Sequence, residues 1–276
     1  MTDAVRSFYA GFGEREWGRL ERPDDGWLEY TITTRALEQY LPSGARVLDN
    51  GGGPGRYSLW LAERGHRVSL SDLSPDLLEI ARERIAASPH RQQIEEVVEA
   101  DARDLRRWPE ATFDAALALG PFYHLTEPAW RDAAAAELAR VVAPGGVVFV
   151  ALMPRIGFLR RVIATPAERH LLSQPGFVER ILEEGVFIND RPGAFTGGYG
   201  VRPEEVAPFF ARFGFQSITL LAAESFVPDL QGALPALAAD HPAGHSAALD
   251  ALLRVAAEPS ILGMANHLIY IGRRAS

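Results

Sequence analysis

Apolar positions recur at two spacings along the chain. Residues 3–20 and 27–40 carry them at helical intervals, separated by the turn-like run Arg22-Pro23-Asp24-Asp25-Gly26. A short apolar run, Ala45–Asp49, then reads as a strand after the turn at Pro42-Ser43-Gly44. Glycines follow, and a helix runs through Tyr57, Leu61 and Ala62. A second strand is expected at His66–Leu70, and its helix opens with Ser74 as N-cap and Pro75 in the first turn. Leu78, Ala81 and Ile85 continue that helix. Further strands are expected near Ile94–Glu99, at Phe113–Leu119 and at Val147–Met153, the last entered through Pro144-Gly145-Gly146. The helix before it places Trp130, Ala134, Leu138 and Val141 on one face. Phe215–Leu221 and His267–Ile271 complete seven strands.

Strands alternating with helices predict an α/β fold, a parallel sheet covered on both faces with right-handed crossovers. Two connections exceed a minimal crossover, 154–202 and 224–263. The first has a helical part near 167–184 and a glycine-rich part, Thr196-Gly197-Gly198-Tyr199-Gly200; the second has a helix near 246–257. Loops of this size suit cap or substrate insertions. The expectation is one domain over residues 1–276, with 1–40 as N-terminal lid helices.

Composition narrows the chemistry. All 28 basic residues are arginine, and there is no cysteine. Without lysine there is no Schiff base and no P-loop or protein-kinase lysine. Without cysteine there is no disulfide, thiol nucleophile or Fe–S cluster. The net charge of −8 speaks against phosphate-backbone binding, and Arg103, Arg106 and Arg107 read as a solvated group. No apolar signal segment opens the chain and no stretch approaches the length of a membrane span, so a cytoplasmic protein is expected. Oligomeric state stays open.

The richest local pattern is Val47-Leu48-Asp49-Asn50-Gly51-Gly52-Gly53-Pro54-Gly55-Arg56, where a strand gives way to a helix. Its glycines allow a sharp turn and close approach of a ligand to the helix N-terminus. A dinucleotide fingerprint would need glycine at position 56, which is Arg56. Asp72 ends the second strand, 21 residues after Gly51, where a carboxylate accepts ribose hydroxyls. Asp101 follows the third strand, placed for an exocyclic adenine amine. Three acids at successive strand ends converge on one crevice and suit a cationic ligand. Taken singly, each could merely cap a helix.

With Asp72-Leu73-Ser74-Pro75, Ala100-Asp101-Ala102 and Arg140-Val141-Val142-Ala143-Pro144-Gly145-Gly146 added, the chain resembles the class I S-adenosylmethionine (SAM)-dependent methyltransferases of the bacterial small-molecule type over about residues 40–153. The resemblance implies a Rossmann-like seven-stranded sheet of order 3-2-1-4-5-7-6 with strand 7 antiparallel. It implies that Asp49, Gly51, Gly53 and Gly55 hold the methionine part of SAM, Asp72 the ribose and Asp101 the adenine, with Leu73, Ala102 and Leu119 beside them. Asn50 stands where the family usually has an apolar residue. S-adenosylhomocysteine (SAH) would be the product, and no metal is implied.

The fourth strand leads into Gly120-Pro121-Phe122-Tyr123-His124. That differs from the Asp/Asn-Pro-Pro-Tyr of adenine and glutamine amino-methyltransferases. His124 is the candidate general base and Tyr123 a candidate contact to the sulfonium; the alternatives are an orienting or capping histidine and a packed aromatic. Tyr9 and Trp17, in the N-terminal segment, are candidate cofactor contacts from a lid helix, with a core aromatic stripe as the other reading. Tyr199 is a candidate to close over the acceptor, and His267 reads as structural. The function expected is methyl transfer from SAM to an O or N atom of a small-molecule acceptor. A non-catalytic SAM-binding regulator and an NAD(P)-dependent oxidoreductase are the alternatives.

Overall fold

The computed structural model describes residues 6, 9, 11–23, 25–189, 195, 197–227 and 232–276. The first half of the helix expected over 3–20 lies largely outside them, as does Thr196. From the described part, α1 spans Glu14–Arg19 and α2 spans Asp25–Tyr40. Two β–α units follow, β1 (Arg46–Asn50) with α3 (Arg56–Glu63) and β2 (Arg67–Asp72) with α4 (Pro75–Ala87), and then β3 (Ile94–Glu99), which reaches β4 (Phe113–Ala118) through a loop. Next come α5 (Pro128–Val141) and the long β5 (Val142–Pro154). The chain closes with β8 (Phe215–Ala222) and β9 (Leu268–Arg274).

The main sheet runs β3-β2-β1-β4-β5-β9-β8. Its first five members are parallel, and β9 is antiparallel to both β5 and β8. With β9 and β8 as the seventh and sixth strands of that sheet, this is the expected 3-2-1-4-5-7-6 order. The period-2 alternation of strands explains the two covered faces. Leu48, Ala116, Val148 and Tyr270 enter one apolar cluster, with Leu138 of α5 and Phe210. Their immediate neighbours Val47, Ala115, Val147 and Ile269 enter the other, with Leu61 of α3 and Leu37 of α2. Helix α4 starts as its sequence predicts: the Leu77 backbone N–H donates to Ser74 Oγ at 3.4 Å, with Pro75 in the first turn.

The insertion after β5 contains two strands that the sequence pattern does not announce. Helix α6 (Arg155–Ala164) leads through helical turns to β6 (Val186–Ile188) and β7 (Gly197–Val201). These two form an antiparallel hairpin, and β7 also extends β5 at Met153 and Pro154. After it, α7 (Pro203–Ala211) returns the chain to β8. The second insertion holds α8 (Ala233–Asp240) and α9 (Pro242–Val255). Its Leu234, Leu252 and Ala256 pack on Leu28 and Ile32 of α2. Among the described residues, no helix is long and apolar enough to cross a membrane.

Candidate active site

The cleft opens at the carboxyl ends of β1, β2 and β4. Gly51 has φ +75°, and a Cβ there would sit 2.6 Å from Pro121 Cγ, so only glycine lets the loop pass under the turn after β4. Gly51 and Gly52 donate their backbone N–H groups to Ser71 O at 2.7 and 3.1 Å. The Gly53 N–H donates to Asp72 Oδ2 at 2.8 Å, which ties the second-strand acid to the glycine loop. Gly55 does not line the cleft. It caps α3 at φ +84° and faces Leu70 and Ala81, so its role is helix-to-sheet packing.

Asp49 is buried. Ser58 Oγ donates to its Oδ2 at 2.6 Å, while Oδ1 has no partner. Burial pushes its pKa up to about 6. The same desolvation raises Asp72 to about 6, against backbone donors that include Ser74 N–H at 2.8 Å. Asp101 is treated differently. Burial would raise it, but the Arg103 guanidinium clamps both its oxygens, at 2.9 and 2.5 Å, and holds it below the usual carboxylate range. Leu73, Ala102 and Leu119 line the cleft beside these acids. So does Trp130, which the helical pattern assigns to a core face; Arg103 lies 4.9 Å over its ring.

At the other end, Pro121–His124 forms a single tight helical turn with Tyr123 buried. Burial holds the Tyr123 phenol protonated and pushes His124 down to about 4, so the imidazole is neutral at pH 7. Tyr9 lines the cleft with its hydroxyl 2.9 Å from His124 Nε2. Gly198 packs β7 against this turn: a Cβ on it would lie 2.9 Å from Tyr123 O. Tyr199 does not close over the cleft; it stacks with the Arg131 guanidinium 3.5 Å from its ring.

Trp17 stands off the cleft, contrary to the expectation for a cofactor contact. Its ring is covered by the guanidinium groups of Arg84, at 3.9 Å, and Arg56, at 4.7 Å. These cation–π contacts clasp α1 to α3 and α4. Two other residues of α1 face the cleft instead, Glu16 and Arg19. Arg19 donates to Glu16 at 3.1 Å and to both oxygens of Glu29 at 2.5 and 3.1 Å. Glu29 lies 3.6 Å from His267 Nδ1, which in turn is 2.7 Å from Glu224. Burial alone would lower His267, but the two carboxylates hold its pKa above the ordinary value. Glu29, Glu224 and His267 have the side chains of a metal site, yet the Arg19 guanidinium already supplies the cation there. Glu16 and Arg19 are cleft residues that no local motif marks; Arg103, read from the sequence as part of a solvated group, instead lines the cleft bound to Asp101.

Residues 47–146 match the family model described as Methyltransferase domain. Over that stretch the chain is similar to methyltransferase domains. The chain is 35% identical across 118 residues to the ubiquinone biosynthesis O-methyltransferase of Xylella fastidiosa (strain 9a5c), which is 41% of this chain and 44% of that protein. The corresponding protein of Xanthomonas axonopodis pv. citri is 28% identical across 182 residues, 63% of this chain and 64% of that one. The chain thus spans about half the length of the curated relatives it matches. Solved structures share the fold. A SAM-dependent methyltransferase from Methanosarcina mazei superposes with a TM-score of 0.59 at 16% identity, covering 87% of this chain and 97% of that one. The Burkholderia thailandensis 1,6-didemethyltoxoflavin-N1-methyltransferase, with SAH bound, gives 0.58 at 15% identity, covering 99% and 88%. Within the matched residues, Gly51–Gly53 and the three acids line one continuous cleft.

Proposed function

We propose that this chain transfers a methyl group from SAM to an oxygen or nitrogen atom of a small-molecule acceptor, releasing SAH. The observation that carries the reading is the pair of desolvated carboxylates at the glycine loop. Asp49 keeps a buried oxygen without a partner, and Asp72 closes on Gly53, so the cleft offers uncompensated negative charge to a cationic ligand. The residues present fit SAM. Asp72 would take the ribose hydroxyls, Asp101 the adenine amine, and Asp49 with Gly51 and Gly53 the methionine part; Leu73, Ala102 and Leu119 would wall it. When bound, SAM supplies a methyl group already activated on sulfur.

The chain's own task is to align the acceptor and to manage one proton. Tyr123 and His124 stand where the turn after β4 meets the glycine loop, and the neutral His124 is available to accept that proton. Similar proteins include an O-methyltransferase of ubiquinone biosynthesis and the N1-methyltransferase of 1,6-didemethyltoxoflavin, so both acceptor atoms belong to the proposal. The net charge of −8 supports a metabolite over a nucleic acid.

Calorimetric titration with SAH and, separately, with NADH tests the reading. Micromolar binding of SAH alone is expected, and binding of NADH without SAH would overturn it. Formation of SAH from SAM with catechol or benzimidazole as probe acceptors then sorts oxygen from nitrogen transfer.

A further inference from the structure

The Tyr9 hydroxyl and His124 Nε2 are 2.9 Å apart although 115 residues separate them in sequence. The two rings meet edge-on, with centroids 5.5 Å apart and planes at 84°. Tyr123 and Phe195 hold the imidazole from other sides, at 4.8 and 5.3 Å. Its second nitrogen, Nδ1, is buried and has no partner. Leaving a buried polar atom unpaired is costly, and such an atom in a binding cleft points to a ligand group as its partner. The two ring nitrogens are coupled, because the bond made by one sets the protonation of the other. A phenol has a single proton to donate. With that proton directed away from His124, the Tyr9 oxygen accepts from His124 Nε2–H, and Nδ1 is left with its lone pair.

We propose that Tyr9 is a positioning residue for His124, holding the imidazole in one orientation and one neutral tautomer so that Nδ1 meets the reacting group of the methyl acceptor. The inference rests on the methyl-transfer reading and deepens it, because the base is then complete only with a residue from the N-terminal segment in place. In the step it serves, the acceptor's proton passes to Nδ1 and makes an imidazolium. The electron pair of the broken acceptor–hydrogen bond forms the new bond to the methyl carbon. Sulfur leaves with the carbon–sulfur pair as a neutral thioether. The imidazolium returns its proton to water after product departs.

Long-range 1H–15N spectra of histidine-labelled protein report tautomers directly, and the H124Q variant identifies the His124 signals among the 7 histidines. The expected wild-type spectrum has His124 as a single neutral tautomer with its hydrogen on Nε2. Tyr9→Phe should convert this to a mixture with the two tautomers within about threefold of each other. A wild-type hydrogen on Nδ1, or an unchanged single tautomer in Y9F, would overturn the inference. The first of these needs no variant. Failure of SAH to bind wild type would instead overturn the methyl-transfer reading, so the two failures are distinguishable.

Discussion

The Arg19 guanidinium grips both oxygens of Glu29, and the same carboxylate faces His267 Nδ1 at 3.6 Å. One residue of the N-terminal helix is thereby tied to α2 and, through His267, to the start of β9. Replacing it by Arg19→Met leaves Glu29 largely buried without its cation. The expected loss is about 3 kcal/mol in urea-induced unfolding, the lower end for a broken buried pair. SAH affinity should fall as well, since α1 borders the cleft. Full stability in R19M would show that Glu29 draws its compensation from elsewhere.

The His267 proton is a second handle on the same contact. Its pKa is raised in the folded protein, so the stabilisation is complete below the ordinary value near 6.5 and is lost as pH rises through the folded value. Urea midpoints should therefore decline between pH 6 and pH 9. In His267→Asn the decline should flatten. A variant with the same slope as wild type would place the titration on another group.

The two acids proposed to hold SAM predict the opposite trend for ligand binding. Asp49 and Asp72 are raised to about 6, so both are largely protonated at pH 5 and ionised at pH 7.5. Affinity for cationic SAM should rise across that interval, and Asp49→Asn should reduce the rise. In the unliganded protein the sign reverses. The folded state holds these protons more tightly than the unfolded chain, so stability from this source declines as pH climbs from about 4 to above 6. A shift from 3.8 to about 6 corresponds to roughly 3 kcal/mol per carboxylate at most.

Two glycines with similar backbone angles should respond unequally to alanine. Gly51 at φ +75° would drive a Cβ to 2.6 Å from Pro121, whereas Gly65 at φ +82° has nothing within 4 Å. Gly65→Ala should cost about 1 kcal/mol of backbone strain and leave SAH binding intact. Gly51→Ala should weaken SAH binding more than tenfold in calorimetry while the far-ultraviolet circular dichroism stays native. Equal affinities in the two variants would remove the loop from the binding site.

Much of this was legible in the residue order. The glycine loop and the aspartates at the ends of β1 and β2, with Asp101 after β3, are local signals; the parallel sheet follows from alternation of strands and helices, and its strand order from the family resemblance. What escaped was non-local. Trp17 looks like a lid aromatic until Arg56 and Arg84, far along the chain, cover its ring. The β6–β7 hairpin was hidden because glycines weaken any strand pattern. Here they are required by close packing: a Cβ on Gly200 would reach 2.7 Å from the Arg155 backbone. Arg19, Glu29, Glu224 and His267 come from separate segments, and nothing in their spacing announces that they meet.

The insertion after β5 has its own apolar cluster, in which Phe158, Val162, Leu171, Phe177, Ile181 and Phe187 are buried together, apart from the two clusters that flank the sheet. It meets the cleft chiefly through β7 against the Tyr123–His124 turn. With its own core, this part can change inside without disturbing the sheet. Under the proposed function, exchanging it would change which molecule is modified while the donor site stays as it is.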